Sequence, residues 1–426
     1  MLVQTTFAAA SPGPESTYGR IGALLLDAGM SVSDVRDGLE AACATATPTL
    51  DLTFSVLPQT VMVSDDQTGE TRMASAEGAL TFLQAAEASR LSRAIAHGSV
   101  ALADVPSHIA TIRGHRQRHP VLATTVGSAL IAAGLATLFR CPWWAEVSAL
   151  VLGALIGAAV ELAERTRSAA SVMPFVTAFF AASAVGTLVN VLDIGTVPLA
   201  AVCAPFAVLV PGALITNALL ELTSTDIVAG AARLTYGAIA LAFMAAGIAA
   251  GASVTGLHID PDSAGLVGDI PGSAHGGSAW SALPPEWISV VGVVLLALGV
   301  SVAFGAGRRL AGLGVVVMLG TYAVVTVAAA ITNSIVASGI AAGLLLVVAR
   351  AVERLGSAVP ATVTFQPAFM LLVPGTVGLV ALSSTNTSAL ATAGATFASV
   401  CIGTQVGALV ASMGRRVVGP PVAVAS

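Results

Sequence analysis

The sequence predicts a polytopic α-helical membrane protein: about ten transmembrane helices arranged as two inverted five-helix repeats, preceded by an N-terminal cytoplasmic α+β domain. Three observations point there. Of 426 residues, 56% are hydrophobic and 10% charged, with a mean hydropathy of +0.89, more apolar surface than so few polar groups can cover in water. The charge is concentrated in about the first 118 residues, while the remainder divides into apolar segments. Two of those segments, far apart in the chain, carry prolines in the same order and the same word, Leu-Val-Pro-Gly.

The soluble part comes first, at 1–118. Helical periodicity over 17–26, a turn at 28–30 and a second helix begun by Ser31 or Ser33 make a helical hairpin. Strand-like runs follow at 50–57, 59–64 and 70–75, with the turn at Asp65–Gly69, and helices at 78–97 and 101–111 lead to the first apolar segment. Neither a phosphate loop, a Gly-x-Ser-x-Gly elbow nor a zinc motif is present, so no catalytic residue, cofactor or metal is expected and ATP is not the expected energy source. No nucleic-acid partner is implied. The extreme N-terminus has no basic region and too short an apolar core for a secretory signal, which places this domain in the cytoplasm.

A hydrocarbon core of about 30 Å needs roughly 20 apolar residues per helix. Segments of that kind fall at 121–139, 144–162, 172–191, 197–220 and 227–255, then at 288–306, 311–331, 334–349, 360–383 and 391–412. The domains are therefore a first membrane repeat at 119–256, an extracytoplasmic loop at 257–287, a second repeat at 288–413 and a cytoplasmic tail at 414–426. The chain contains no lysine, so arginine alone reports orientation. Arginines precede the first segment and follow the second, fourth, sixth, eighth and tenth, whereas the odd exits hold only Arg140. Ten spans with both termini in the cytoplasm satisfy this pattern. The strip around His115 and His119 reads as a basic juxtamembrane segment facing lipid phosphates, and the loop bearing His258, Asp260, Asp262 and His275 as a mobile one. The four cysteines, Cys43, Cys141, Cys203 and Cys401, form no disulfide framework.

The fourth segment opens Val-Pro at Val197, repeats proline at Pro205 and reaches Pro211–Gly212; the ninth opens Val-Pro at Val359 and continues through Pro367 to Pro374–Gly375. Five spans separate the copies, so they cross in opposite directions, the signature of an inverted repeat whose broken helices meet near the midplane. Proline removes an N–H and glycine lets the chain unwind, and the freed groups are tolerated in a bilayer only where protein, water or a ligand satisfies them. Thr216 and Asn217 follow the first break, and Gln405 in the tenth segment adds another amide. Charge lies at span ends, which favours a zwitterionic solute. Ser31, Ser33 and Asp34 are explained by helix capping in preference to a hydrolytic site.

The stretch LVPGALITNALLELTSTDIVAGAARL, 209–234, resembles the signature of the bacterial threonine/serine exporter family through Pro211, Gly212, Asn217, Glu221, Asp226, Gly230 and Arg233. LLLDAGMSVSDVRDGLEAAC, 24–43, is similar to that family's cytoplasmic domain. Thr225 departs from the pattern, which has glycine there. The resemblance implies a secondary active exporter of threonine and serine in the bacterial plasma membrane, coupled to protons and surrounded by lipid, with a homo-oligomer compatible. Pro211, Gly212, Thr216, Asn217, Pro374, Gly375 and Gln405 would contact substrate, and Glu221, Asp226 and Arg233 would couple the proton. Three other readings compete: export of a dicarboxylate, a membrane-anchored enzyme with its chemistry in the N-terminal domain, and a passive channel.

Overall fold

The computed structural model describes residues 13–115, 117–164, 171–260, 266–267, 284–353, 360, 363–364, 367–368, 370–372 and 387–417. The N-terminal region begins with α1 (Pro14–Asp27) and α2 (Val32–Ala46), joined by a four-residue turn in which Gly29 takes φ +77°. Ser31 caps α2 by accepting the Asp34 N–H at 3.2 Å, the role its sequence position implies. The strands β1 (Leu52–Leu57), β2 (Thr60–Asp65) and β3 (Thr71–Ser75) form an antiparallel meander in the order β1-β2-β3. Val61 and Val63 of β2 alternate inward against Ile21, Leu24 and Leu25 of α1, all essentially unexposed. Two further helices, α3 (Phe82–Ala96) and α4 (Val105–Gly114), complete the layer. A Thr81–Gln84 capping box starts α3.

The membrane part follows as α5 (Pro120–Leu138), α6 (Trp143–Glu164), α7 (Met173–Val191), α8 (Leu199–Cys203), α9 (Gly212–Thr223) and α10 (Ile227–Thr255). Then come α11 (Trp287–Ala303), α12 (Arg308–Ile331), α13 (Ser334–Val352) and α14 (Thr387–Val417). Among the described residues seven helices are long and apolar enough to cross a bilayer, and the bent pair around Pro211 brings the number to eight. This is fewer than the ten expected for two identifiable reasons. The sixth segment forms a helix of only 17 residues, and most of the ninth, with Pro374 and Gly375, lies outside the described residues. The chain does break between the seventh and eighth segments: α12 ends at Ile331 and Asn333 caps α13 by accepting the Val336 N–H at 2.9 Å.

Side chains cannot drive helices together by the hydrophobic effect where the solvent is itself apolar, so close backbone approach through small residues has to supply the contact. Antiparallel α5 and α11 meet in this way, with Gly127 against Ala303 and Gly299 against Ile131. Gly247 and Gly251 bring α10 onto α7, and Gly339 and Gly343 bring α13 onto α14 at Gly403 and Gly407. The N-terminal region sits on one end of this bundle. The Phe82 N–H donates to the Phe304 carbonyl at 2.8 Å, their rings stack at 5.3 Å, and Gln117 donates to the Val302 carbonyl at 3.1 Å. The start of α5 and the α9–α10, α11–α12 and α13 ends therefore share one face. At the other face Trp143 and Trp287 are exposed, as in the aromatic belts of membrane interfaces.

Gly299 tests the packing. A Cβ there would stand 2.6 Å from the Ile131 backbone nitrogen, so Gly299→Leu must separate α5 from α11 at a cost of about 1–3 kcal/mol. A lowered Tm in detergent is expected. Gly320→Leu, with nothing within 4 Å of its Cβ, leaves Tm unchanged.

Candidate functional site

The helix interruption falls where the Pro-Gly pair predicts it. Pro205 turns the chain from α8 into a 3₁₀ segment, Ala204–Leu209, and Val210 is extended before α9 restarts at Gly212. The two halves diverge by 73°. Restarting at Gly212, whose own N–H turns back to the Val210 carbonyl at 2.7 Å, leaves the next N–H groups of α9 with no carbonyl a turn earlier to receive them, a polar helix end inside an otherwise apolar bundle. Thr216 is buried, and its hydroxyl donates to the Gly212 carbonyl at 2.9 Å, so it serves its own helix.

The next residue, Asn217, is 4% exposed and donates from Nδ2 to the Gly29 carbonyl at 2.8 Å. The partner is the α1–α2 turn of the N-terminal region, 188 residues away. Glu221, one turn along from Asn217, has no exposure at all. Its Oε1 accepts the Val32 N–H at 2.9 Å, a first-turn donor of α2 that has no intrahelical partner. Its Oε2 lies 3.4 Å from Arg233 Nε, close enough for charge attraction yet without hydrogen-bond geometry, and accepts no hydrogen bond among the described residues. The pairing of Arg233 is thus with Glu221 and not with Asp226.

Asp226 is held by the same turn. Ser33 donates to it at 2.7 Å, and Arg36 donates through both terminal nitrogens at 2.7 and 3.4 Å. Burial opposes ionisation of Asp226, but the Arg36 and Ser33 hydrogen bonds outweigh it and hold the carboxyl below its ordinary value of 3.8. Thr225 just before it takes φ +67°, the left-handed conformation that glycine adopts without cost and that is unfavourable for a β-branched residue. Beside this cluster Arg350, at the end of α13, donates to both oxygens of Asp34 at 2.6 and 2.9 Å. Residues 29–36 therefore bridge two separate parts of the membrane domain.

Of the residues singled out in the sequence, Asn217, Glu221, Asp226 and Arg233 are brought together, with Pro211, Gly212 and Thr216 directly behind them. Gln405 is exposed on α14 and makes no hydrogen bond to any of them. The sequence reading missed Val32, Ser33, Arg36 and the Asp34–Arg350 pair. Capping accounts for Ser31, but Ser33 and Asp34 are mainly docking residues.

A family model described as "Putative threonine/serine exporter" matches residues 16–255, a stretch that contains both the α1–α2 turn and the broken helix. No curated protein and no solved structure matches the chain.

The Asp226 contact has a calculable pH sign. Its depressed folded value means that the contact stabilises docking above the ordinary carboxylate range and that the contribution is lost as pH falls through the folded value. The Asp226 contribution to docking of residues 29–36, read as the difference in hydrogen exchange between the parent and Asp226→Asn, is expected to persist from pH 8 to pH 5. Arg36→Gln removes a partly exposed ion pair worth about 1 kcal/mol, which should speed exchange of that segment roughly fivefold and move its acid loosening to higher pH.

Proposed function

Because this chain belongs to the threonine/serine exporter family, we propose that it is a secondary active exporter of small amino acids, threonine and serine, driven by the proton gradient. The observation that carries this reading is the broken helix at Pro211–Gly212, with Asn217 and the fully buried Glu221 on the half that follows it. An unwound segment offers N–H groups to a carboxylate and carbonyls to an ammonium. A zwitterion needs both.

The alternating-access reading rests on two inverted halves, and helix pairing supports them. With the segments counted in order, the third packs on the fifth (α7 on α10) as the eighth packs on the tenth (α13 on α14). The first packs on the second as the sixth packs on the seventh, and the first and sixth pair antiparallel with each other. Pro374 and Gly375 would then supply the second broken helix opposite Pro211 and Gly212. The arginine pattern supports a cytoplasmic location for the face that carries the N-terminal region, and the exits of the fourth, sixth and eighth segments, which share that face, agree with it.

In this state the α1–α2 turn and the start of α2 cover the proposed cytoplasmic end of the path and hold Asn217, one oxygen of Glu221, and Asp226. Export requires the turn to leave. Glu221 is the proton carrier in this reading, since one of its oxygens accepts no hydrogen bond among the described residues and Arg233 is the countercharge beside it. Protonation cancels the attraction to Arg233 and weakens acceptance of the Val32 N–H. Asp226, pinned by Arg36 and Ser33, serves the docking contact.

Cells loaded with threonine- or serine-containing dipeptides provide the test. The protein should accelerate efflux of the free amino acid, and collapse of the proton gradient should abolish the acceleration. Glu221→Gln is expected to reduce efflux to that of cells lacking the protein. Asp226→Asn, which loses a contact of about 1 kcal/mol, should stay within about tenfold of the parent. Efflux of a dicarboxylate with none of either amino acid would replace the substrate and keep the architecture.

A further inference from the structure

The N-terminal region does not close flush on the end of α13. Between them is a cavity of about 300 Å³ walled by α2, α3 and the last turn of α13, and Asp34, Asp37, Arg93, Arg350 and Glu353 line it. Three carboxylates and two guanidiniums line it, so the walls carry both signs. Arg350 spans from Asp34 to Glu353, whose Oε2 it meets at 3.1 Å, and Arg93 donates to the Glu353 carbonyl at 2.6 Å.

A cluster of ion pairs that only held two domains together would have no need of a cavity or of idle polar groups. Here there are two. Ser89 and Ser92 line the same space at 6% and 9% exposure, and neither hydroxyl has a hydrogen-bond partner among the described residues. A few convergent polar groups in a concave site are what a small polar ligand requires.

We propose that this cavity binds a small α-amino acid as its zwitterion, the carboxylate taken by Arg93 and Arg350, the ammonium by Asp34 and Asp37, and a polar side chain by the serine hydroxyls. A lone anion would meet three carboxylates and a lone cation two guanidiniums, whereas a zwitterion satisfies both signs. The inference rests on the amino-acid reading above and adds a second site, separate from the break at Pro211–Gly212. Its ligand competes with Asp34 for Arg350. Asp34 follows Ser33 directly and lies two residues after Val32, so releasing it loosens the segment that covers Glu221 and Asp226. A cytoplasmic amino acid would in this way promote its own export.

The test uses the full-length protein in lipid nanodiscs, with L-serine and L-threonine as probes and N-acetylserine and serinamide as charge-deleted analogues. Hydrogen exchange is followed over 34–41 and 89–96, with efflux assayed in parallel. Either amino acid should change exchange in both segments, and neither analogue should. Asp37→Asn should raise the half-effect concentration at least tenfold. Gly38→Leu fills the cavity, since only Ser92 Oγ lies near its Cβ, at 3.6 Å, and should abolish the response. A protein that exports serine while both segments stay unmoved at export-saturating serine overturns this site and leaves the exporter reading intact. A response without any export keeps the site and overturns that reading. Equal responses to the analogues, or a full response in Gly38→Leu, overturn the zwitterion assignment.

Discussion

The Glu221 carboxylate, shut away from solvent between an arginine and the first turn of α2, is the contact on which the rest of the arrangement turns. A charge in that position is tolerable only if it is paired and hydrogen-bonded, and its partners come from opposite ends of the matched region. Arg233 belongs to α10, in the membrane part. Val32 belongs to the N-terminal region, and its N–H is free because it opens a helix. The domain contact is therefore built from groups whose own elements leave them unsatisfied. Asn217 with the Gly29 carbonyl repeats the same logic one turn earlier, and Asp226 with Ser33 and Arg36 extends it to the end of the span.

That contact also explains why the helix break and the N-terminal region belong to one mechanism. The break turns α9 by 73° from the preceding segment, which carries its far end, with Glu221, toward the face where the α1–α2 turn sits. A straight helix through Pro211 would need a donor that proline lacks. Small residues fix the surrounding frame. The close approaches of α5 to α11, α7 to α10 and α13 to α14 all run through glycine, so the frame is held where backbones touch, while the domain boundary is held by polar contacts between side chains and a neighbouring turn.

Much of this was legible in the sequence, for reasons that differ by element. The spans, the capped restart at Ser334 and the three-stranded meander follow from local periodicity and turn chemistry, which a single sequence records. The break was legible because proline and glycine have few roles inside an apolar run. Glu221 and Arg233 were marked by their place in a family pattern. The docking of residues 29–36 was not legible, because a contact across 188 or more positions leaves no period in the chain. Ser33 and Asp34 looked sufficiently explained as capping residues, and Arg350 as a topology marker. Thr225 is a smaller case of the same kind: it stands where the family pattern has glycine, and only the φ of +67° shows that the glycine conformation is kept.

The central claim is that the α1–α2 turn must leave the end of α9 for transport to proceed. Its most direct test is a reversible tether between Ser33→Cys and Asp226→Cys, in a chain whose four native cysteines are replaced, using a reducible bifunctional thiol reagent and measuring amino-acid export from the same vesicles before and after reduction. The account predicts that export stops when the tether is complete and returns on reduction. Equal export in the tethered and reduced states would contradict it, because transport would then be proceeding with the turn in place.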